Sequence, residues 1–197
     1  MKQSGLIFIP DISGFTQFVN SVELKHSQHI IGELLEIILD ANEMGLKVSE
    51  VEGDAILFYK LGESPDLDVT YKQVEKMFLS FHKHLELYES LRTCQCKACV
   101  TAIHLSLKII THYGEFTENR IKNFLQLIGK DIIIAHQLLK NDIPEHEYWL
   151  ITNELSGGKP PGKFTPWIQW DQGAKQVNKD EITFHFAQLG HLKSKGD

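Results

Sequence analysis

The first third of the chain alternates between short apolar runs and apolar residues at helical spacing. An apolar run that ends at a Pro-Asp pair is typical of a buried strand, and residues recurring every three or four positions indicate core-facing helices. Two later apolar runs flank a Glu-Gly-Asp turn and predict a hairpin. In order, these elements are Leu6–Ile9, Phe15–Val22, His29–Ala41, Leu46–Val51 and Ala55–Tyr59.

The rest of the chain continues the same alternation. Polar turns separate a long amphipathic helix, a strand that stops near Gly114, a further helix and two more strands. A segment rich in glycine and proline over residues 155–166 predicts a long loop. The predicted elements are Asp68–Leu91, Ile103–Thr111, Ile132–Leu139, Tyr148–Thr152 and Ile182–Phe186.

This order of strands and helices predicts an α+β fold with helices packed on one sheet. The chain has 197 residues, of which 42% are hydrophobic. That length suits one well-buried core and would be cramped for two. We therefore expect a single domain over residues 1–197.

Charge and hydropathy exclude several classes of function. The net charge is −6 and the basic residues are scattered, so an extended nucleic-acid surface is not expected. No apolar run reaches the length of a membrane span. The first apolar run is too short for a signal-peptide core, so the cytoplasm is the expected location.

Two aspartates stand out by their context. Asp11 leaves the first predicted strand and Asp54 lies in the hairpin turn. If the strands are neighbours, both carboxylates project from one edge of the sheet, where they suit Mg²⁺ or Mn²⁺ bound to a nucleoside triphosphate. The alternative is that Asp11 is a helix cap and Asp54 an ordinary turn residue.

Four motifs in fixed order decide between these interpretations. They are Ile9–Thr16 (IPDISGFT), Gly53–Ala55 (GDA), His112–Glu115 (HYGE) and Leu127–Ile132 (LIGKDI). Together they resemble the motifs of class III adenylate and guanylate cyclase catalytic domains, and they cover most of residues 6–152. The resemblance implies a ferredoxin-like nucleotide cyclase fold, with an antiparallel-rich sheet and helices packed on it.

Two further patterns are similar to a divergent bacterial cyclase-like subfamily of unknown function. They are C-x-C-x-x-C at Cys94–Cys99 and G-K-D-x-I-x-A-H at Gly129–His136. Residues 153–197 lie beyond the resemblance, and we expect them to form a C-terminal extension of the same domain.

The resemblance implies roles for several residues. Asp11 and Asp54 match the aspartates that hold two Mg²⁺ or Mn²⁺ ions in the family. The segment Gly14, Phe15 and Thr16 matches its phosphate-binding turn, where free backbone N–H groups can receive an anion.

Two positions correspond to those that select the purine base. Glu50 matches a position that is Glu in guanylate cyclases, since a carboxylate accepts hydrogen bonds from guanine. The partner position is Gln126, whose amide both donates and accepts and therefore suits either purine.

The family's ribose-binding Asn and transition-state Arg fall here on Ile133 and Gln137. Isoleucine makes no hydrogen bond to a ribose, and glutamine supplies no positive charge to the reacting phosphate. Arg120 is the best candidate for a substitute cation, with Lys130 and Lys140 as further candidates. Catalysis by the family's route is therefore expected to be lost or weak.

Three functions remain open from the sequence. The first is a metal- and nucleotide-binding domain with little or no cyclase activity. The second is an active purine nucleotide cyclase, leaning to GTP, with an atypical cation. The third is a non-catalytic dimerising interaction domain. The resemblance implies sites shared across a dimer, in which this chain pairs with itself or with another cyclase-type chain.

Cys94, Cys96 and Cys99 form a compact group of thiols. An odd, local set is no disulfide framework, and it suits a reduced compartment or a metal. Zn²⁺ takes four sulfur or nitrogen ligands, so the group needs one more. The alternative is three reduced cysteines packed under a helix end. The candidate fourth ligands are His104, His82 and His84.

Overall fold

The computed structural model describes residues 3–22 and 24–195. Its strands are β1 (Gln3–Ser13), β2 (Lys47–Glu52), β3 (Ala55–Leu61), β4 (Ser106–Ile121), β5 (Phe124–Ile128), β6 (Tyr148–Thr152), β7 (Asp171–Val177) and β8 (Asp180–Gln188). Its helices are α1 (Phe15–Ser21), α2 (Leu24–Asp40), α3 (Leu67–Leu91), α4 (Lys97–Thr101), α5 (Lys130–Leu138) and α6 (Asn153–Ser156), with 3-10 turns at Ala102–His104 and Gly190–Lys195.

The strands form one sheet in the order β2-β3-β1-β4-β6-β8-β7, and β5 pairs with β4 outside that path. All pairs are antiparallel except β4 with β6. The predicted α+β fold with an antiparallel-rich sheet is therefore confirmed. In this arrangement β1 is central, between β3 and β4.

The apolar run on β1 is continuous because both faces of the sheet are covered. Leu6 and Phe8 point into a core shared with α2 and α3. Ile7 and Ile9 point into a second core shared with α5. The carboxyl end of β1 is thereby fixed from both sides, which positions the residues that follow it.

Most predicted elements are present, but the end of one strand was predicted wrongly and two strands were not predicted. The strand expected to stop near Gly114 continues to Ile121, because Gly114 pairs with Gly5 on β1 and the remaining residues form a hairpin with β5. The strands β5 and β7 were not predicted. Part of the long loop is also ordered, since α6 covers its first residues.

Among the residues that the structure describes, no helix has both the length and the apolar character that a membrane span requires.

Candidate metal and nucleotide site

The structure brings Asp11 and Asp54 to one pocket. Asp11 lies near the end of β1 opposite Ala55 on β3, and the backbone N–H of Ile12 donates to the Asp54 carbonyl at 2.9 Å. Both side chains line a cavity of about 660 Å³. The neighbouring strands thus place the two carboxylates at the same edge of the sheet.

The turn after β1 forms another wall of this pocket, lined by Gly14, Phe15 and Thr16. Gly14 has a φ of 88°, a left-handed conformation that favours glycine and turns the chain into α1. Gly53, before Asp54, has a φ of 54° and lies beside the Phe15 ring. The glycines of both motifs are therefore explained by the turns that carry the site.

Burial and charge perturb both carboxylates. Burial raises the pKa of Asp11 to about 6, the nearby Lys108 ammonium opposes this shift, and the charge of Asp54 adds to it. The pKa of Asp54 is also raised, mainly by burial. Because the charge of Asp54 disfavours ionisation of Asp11, the pair is suited to a cation that binds both carboxylates.

Lys108, which the sequence analysis did not single out, supplies positive charge here. It pairs with Asp11 across β1 and β4, and its Nζ lies 3.4 Å from Asp11 Oδ1. The same ammonium donates to the Leu139 carbonyl at 3.1 Å. A bound divalent ion would share Asp11 with this lysine.

We therefore expect Lys108→Met to tighten binding of Mn²⁺ alone by roughly fivefold, because a competing positive charge beside the ligand is removed. Titration of free Mn²⁺ by electron paramagnetic resonance measures this. Lys175→Met on β7, outside the pocket, is the matched control. Unchanged or weaker Mn²⁺ binding would contradict a metal at Asp11.

The proposed purine-selecting positions lie on two different hairpins, whose strands β2 and β5 contact each other. Glu50 on β2 lies next to Glu52 and His136, with one potential ligand atom of each within 4.8 Å of the others. Burial and a hydrogen bond with the Glu52 side chain raise the pKa of Glu50. Gln126, in contrast, pairs with Asn119 on the β4–β5 hairpin.

The candidate cations lie in different parts of the fold. Arg120 lies on β4 beyond the residues that pair with β1, in the stretch that forms a hairpin with β5. It is not among the residues that line the pocket. Lys130 is engaged with Asp180 at 2.7 Å, whereas Lys140 lines the pocket.

The two positions that depart from the family pattern lie on α5. Gln137 lines the pocket together with His136. Ile133 is 53% exposed and is not part of the lining. His146 completes the basic side of the cavity. His136 ends the G-K-D-x-I-x-A-H pattern, but no role was assigned to it, and His146 carried no sequence signal. The packing of α5 and the turn before β6 bring them to the pocket.

His112 is a structural hydrogen-bonding residue. It is fully buried, its Nδ1 lies 2.8 Å from the Thr152 hydroxyl, and its Nε2 lies 3.0 Å from Asp131 Oδ1. The other Asp131 oxygen accepts from the Glu115 backbone N–H at 2.7 Å. The HYGE and LIGKDI motifs thus meet through this network, away from the pocket.

The three cysteines converge with one histidine, and it is none of the expected candidates. His26 in the first turn of α2 lies beside all three sulfurs. His82 instead faces Glu147 at 3.6 Å, His84 faces Glu33 at 3.6 Å, and His104 is exposed after α4. The prediction of the fourth residue was wrong because it considered only histidines near the cysteines in sequence.

Comparison with known protein families matches residues 31–148 to the family DUF2652, described as a protein of unknown function. The match covers more than half of the chain. The chain belongs to the DUF2652 family. A relative of this DUF2652 chain is the uncharacterised protein Rv2561/Rv2562 of Mycobacterium tuberculosis, 33% identical over 126 residues, or 64% of this chain and 58% of the relative. The aligned region thus spans a little over half of that protein.

Comparison with solved structures shows which known fold this DUF2652 chain has. The adenylyl cyclase CyaB from P. aeruginosa superposes with a TM-score of 0.63 at 15% identity, covering 95% of this chain and 94% of that one. The guanylate cyclase domain of RhGC from Catenaria anguillulae, solved with GTP, gives 0.61 at 16% identity, with 95% and 97% coverage. The DUF2652 chain therefore has the fold of class III cyclase catalytic domains, as its motifs predicted.

Proposed function

We propose that this chain is a divergent cyclase-like domain that binds a divalent metal with a purine nucleoside triphosphate and has weak or no cyclase activity. The observation that carries the proposal is the shared pocket of Asp11 and Asp54. The turn Gly14–Thr16 lines the same cavity. Gln137 stands where the family pattern calls for arginine.

The residues present fit Mg²⁺ or Mn²⁺. These ions prefer oxygen ligands, and the two carboxylates lie side by side at the end of neighbouring strands. When bound, the metal would neutralise the triphosphate and activate the ribose hydroxyl. Asp11 and Asp54 would hold it, and the turn Gly14–Thr16 would receive the phosphates.

Glu50 supports a preference for a purine with hydrogen-bond donors, as guanine has. Burial and the neighbouring Glu52 raise the pKa of Glu50. A carboxylate at this position accepts hydrogen bonds from guanine, so we propose that the site leans to GTP.

The same proposal includes a dimer. Ile121, Phe124 and Ile128 leave large apolar side chains exposed on the β4–β5 hairpin, and the exposed fraction of Phe124 is 76%. Clustered apolar exposure of this kind is typical of an interface. In a second copy, Gln126 and Arg120 would be free to approach the partner's pocket. A sedimentation mass of one chain at the concentrations used for binding would argue against this arrangement.

Calorimetry with Mn²⁺ and a non-hydrolysable GTP analogue tests the binding proposal. We expect metal-dependent binding that falls at least about tenfold in Asp54→Asn, because one of the two anionic ligands is lost. Asp171→Asn, an exposed aspartate on β7, is the matched control and should bind normally. Equal binding with and without Mn²⁺, or none at all, would contradict the proposal.

A product assay separates the binding domain from an active cyclase. The expected result with Mn²⁺ and GTP or ATP is no cyclic product, or a trace, since Gln137 supplies no charge to the reacting phosphate. A robust product that disappears in Asp54→Asn would instead favour an active enzyme. Lys140, which lines the pocket, would then be the first cation to test.

A further inference from the structure

A second site of different chemistry lies where α4 packs against α2. Cys94 and Cys96 belong to the loop after α3, Cys99 lies in α4, and His26 lies in the first turn of α2. One potential ligand atom from each of these residues lies within 4.8 Å of the others. Four ligand atoms from three separate segments thus surround one point.

We propose that His26, Cys94, Cys96 and Cys99 bind one structural Zn²⁺ ion. Thiolate and imidazole ligands select Zn²⁺ over Mg²⁺ and Mn²⁺, whereas the carboxylates of the first pocket favour the harder ions. The two sites would therefore take different metals from the same solution. This inference does not depend on the proposed function.

The distances agree with tetrahedral coordination. A Zn²⁺ ion with usual bond lengths separates a sulfur from a nitrogen ligand by about 3.5 Å. In the structure, His26 Nδ1 lies 3.1 Å from the sulfur of Cys96, 3.5 Å from that of Cys99 and 3.7 Å from that of Cys94. The three nitrogen–sulfur distances therefore lie close to the separation expected for zinc coordination.

Hydrogen bonding alone does not account for this geometry. A neutral imidazole nitrogen that carries no proton has one lone pair, so it accepts one good hydrogen bond. Here three sulfurs approach the same nitrogen. A metal ion at the centre satisfies all four atoms at once, which three thiols around one His26 nitrogen cannot do.

The surroundings supply donors to the sulfurs, as thiolates require. The Tyr88 hydroxyl donates to Cys99 Sγ at 3.1 Å, and the Cys96 backbone N–H approaches Cys94 Sγ at 3.5 Å. Outer contacts of this kind orient metal ligands and stabilise their charge. The Arg92 guanidinium fixes the loop by binding Glu89 through two nitrogens, at 2.6 and 2.7 Å, and by donating to the Cys94 carbonyl.

The ion would add a link between segments that also meet in the apolar core, where Ala98 and Cys99 are buried. The loop before α4 is short of apolar residues, and α4 itself has only five residues. Yet α4 contacts both α1 and α2, and Lys97 and Thr101 line a groove with Gly14. A zinc ion would therefore brace the helix that supports the turn after β1.

The first experiment measures the metal content of the full chain purified under reducing conditions without added metal. We expect one Zn²⁺ per chain, falling to about a tenth or less in His26→Ala and Cys96→Ser, because each removes a ligand. His29→Ala, one turn along the same helix, should keep its zinc, as should Asp11→Asn in the other pocket. Full zinc content in both ligand variants would overturn the proposal.

A second experiment uses the unmodified protein, so that it does not depend on whether a variant folds. An organomercurial that reacts with thiols is titrated while released Zn²⁺ is followed with a colorimetric chelator. We expect one Zn²⁺ to be released as three thiols react. Three thiols that react without releasing zinc, or a disulfide between two of them, would show that no metal is held there.

Substitution with Co²⁺ tests the coordination geometry of the metal. Replacing the ion with Co²⁺ should produce the intense visible bands of tetrahedral coordination together with thiolate-to-cobalt charge transfer. The weak spectrum of six-coordinate Co²⁺, or bands unchanged in Cys99→Ser, would overturn the assignment of these four ligands.

Discussion

Asp11→Asn is expected to raise the free energy of unfolding by about 2 kcal/mol at pH 7.5, while it abolishes metal binding. Burial holds the pKa of Asp11 at about 6 in the folded protein, above the ordinary value of 3.8. Ionising this carboxyl group in the folded state is therefore unfavourable. The amide has the same shape and carries no charge.

The sign of the pH dependence follows from the same shift. A carboxyl group with a raised pKa in the folded state stabilises the protein below its unfolded pKa, and this contribution is lost as the pH rises through the folded pKa. Stability of the unmodified protein should therefore fall between about pH 4 and pH 6 relative to Asp11→Asn. At pH 4 the difference between the two proteins should nearly vanish.

Urea unfolding at several pH values measures the effect. Asp171→Asn, with an exposed carboxylate on β7, should change the free energy of unfolding by less than about 0.5 kcal/mol at every pH. If Asp11→Asn is destabilising at pH 7.5, the ion pair with Lys108 outweighs the burial of the carboxylate. If Asp11→Asn has a higher free energy of unfolding but no longer binds metal, then Asp11 serves metal binding and lowers the stability of the fold.

Gly114→Ala should destabilise the protein by about 3 kcal/mol, since it combines overpacking with the loss of buried hydrogen bonds. A Cβ atom on Gly114 would stand 2.3 Å from Cγ and 2.5 Å from Cβ of Asp131. Asp131 would have to move away from His112 and from the Glu115 backbone N–H. His112, with no exposed surface, would lose one of its hydrogen-bond partners.

The control is Gly32→Ala on α2, where an added Cβ meets no atom within 4 Å. Because alanine is the better helix former, this variant should gain about 0.5–1 kcal/mol. A double-mutant cycle with Asp131→Ala sharpens the test, since the two changes should be less damaging together than their sum. Additive losses would mean that Gly114 is needed for some reason other than the approach of Asp131.

The sequence was informative wherever a local pattern decides the structure. The hairpin at Asp54 follows from alternating apolar residues around a glycine turn, and β6 from a run of five buried residues. The strand β7 escaped prediction because it lies at the sheet edge and most of its residues are polar. The extension of β4 was also not predicted, because its last residues pair only with β5, outside the main sheet.

The residues of the candidate sites divide in the same way: a local motif identifies some of them, and only the fold brings the others together. Asp11 was identified from its place in a motif, but Lys108 lies within an apolar strand and acquires meaning only when β4 pairs with β1. His26 is separated from the cysteines by the rest of α2, the hairpin and α3. No spacing rule joins it to Cys96, because their proximity results from helix packing.

The central position of β1 has a consequence for how the molecule is made. Its partner β3 ends at Leu61, whereas its other partner β4 begins only at Ser106. Pairing across so long an intervening chain is slow, so β1 keeps one edge open while the rest is synthesised. Both aspartates are synthesised before Lys108, which follows only after α3 and α4. Until β4 is in place, the carboxylate pair has no lysine beside it.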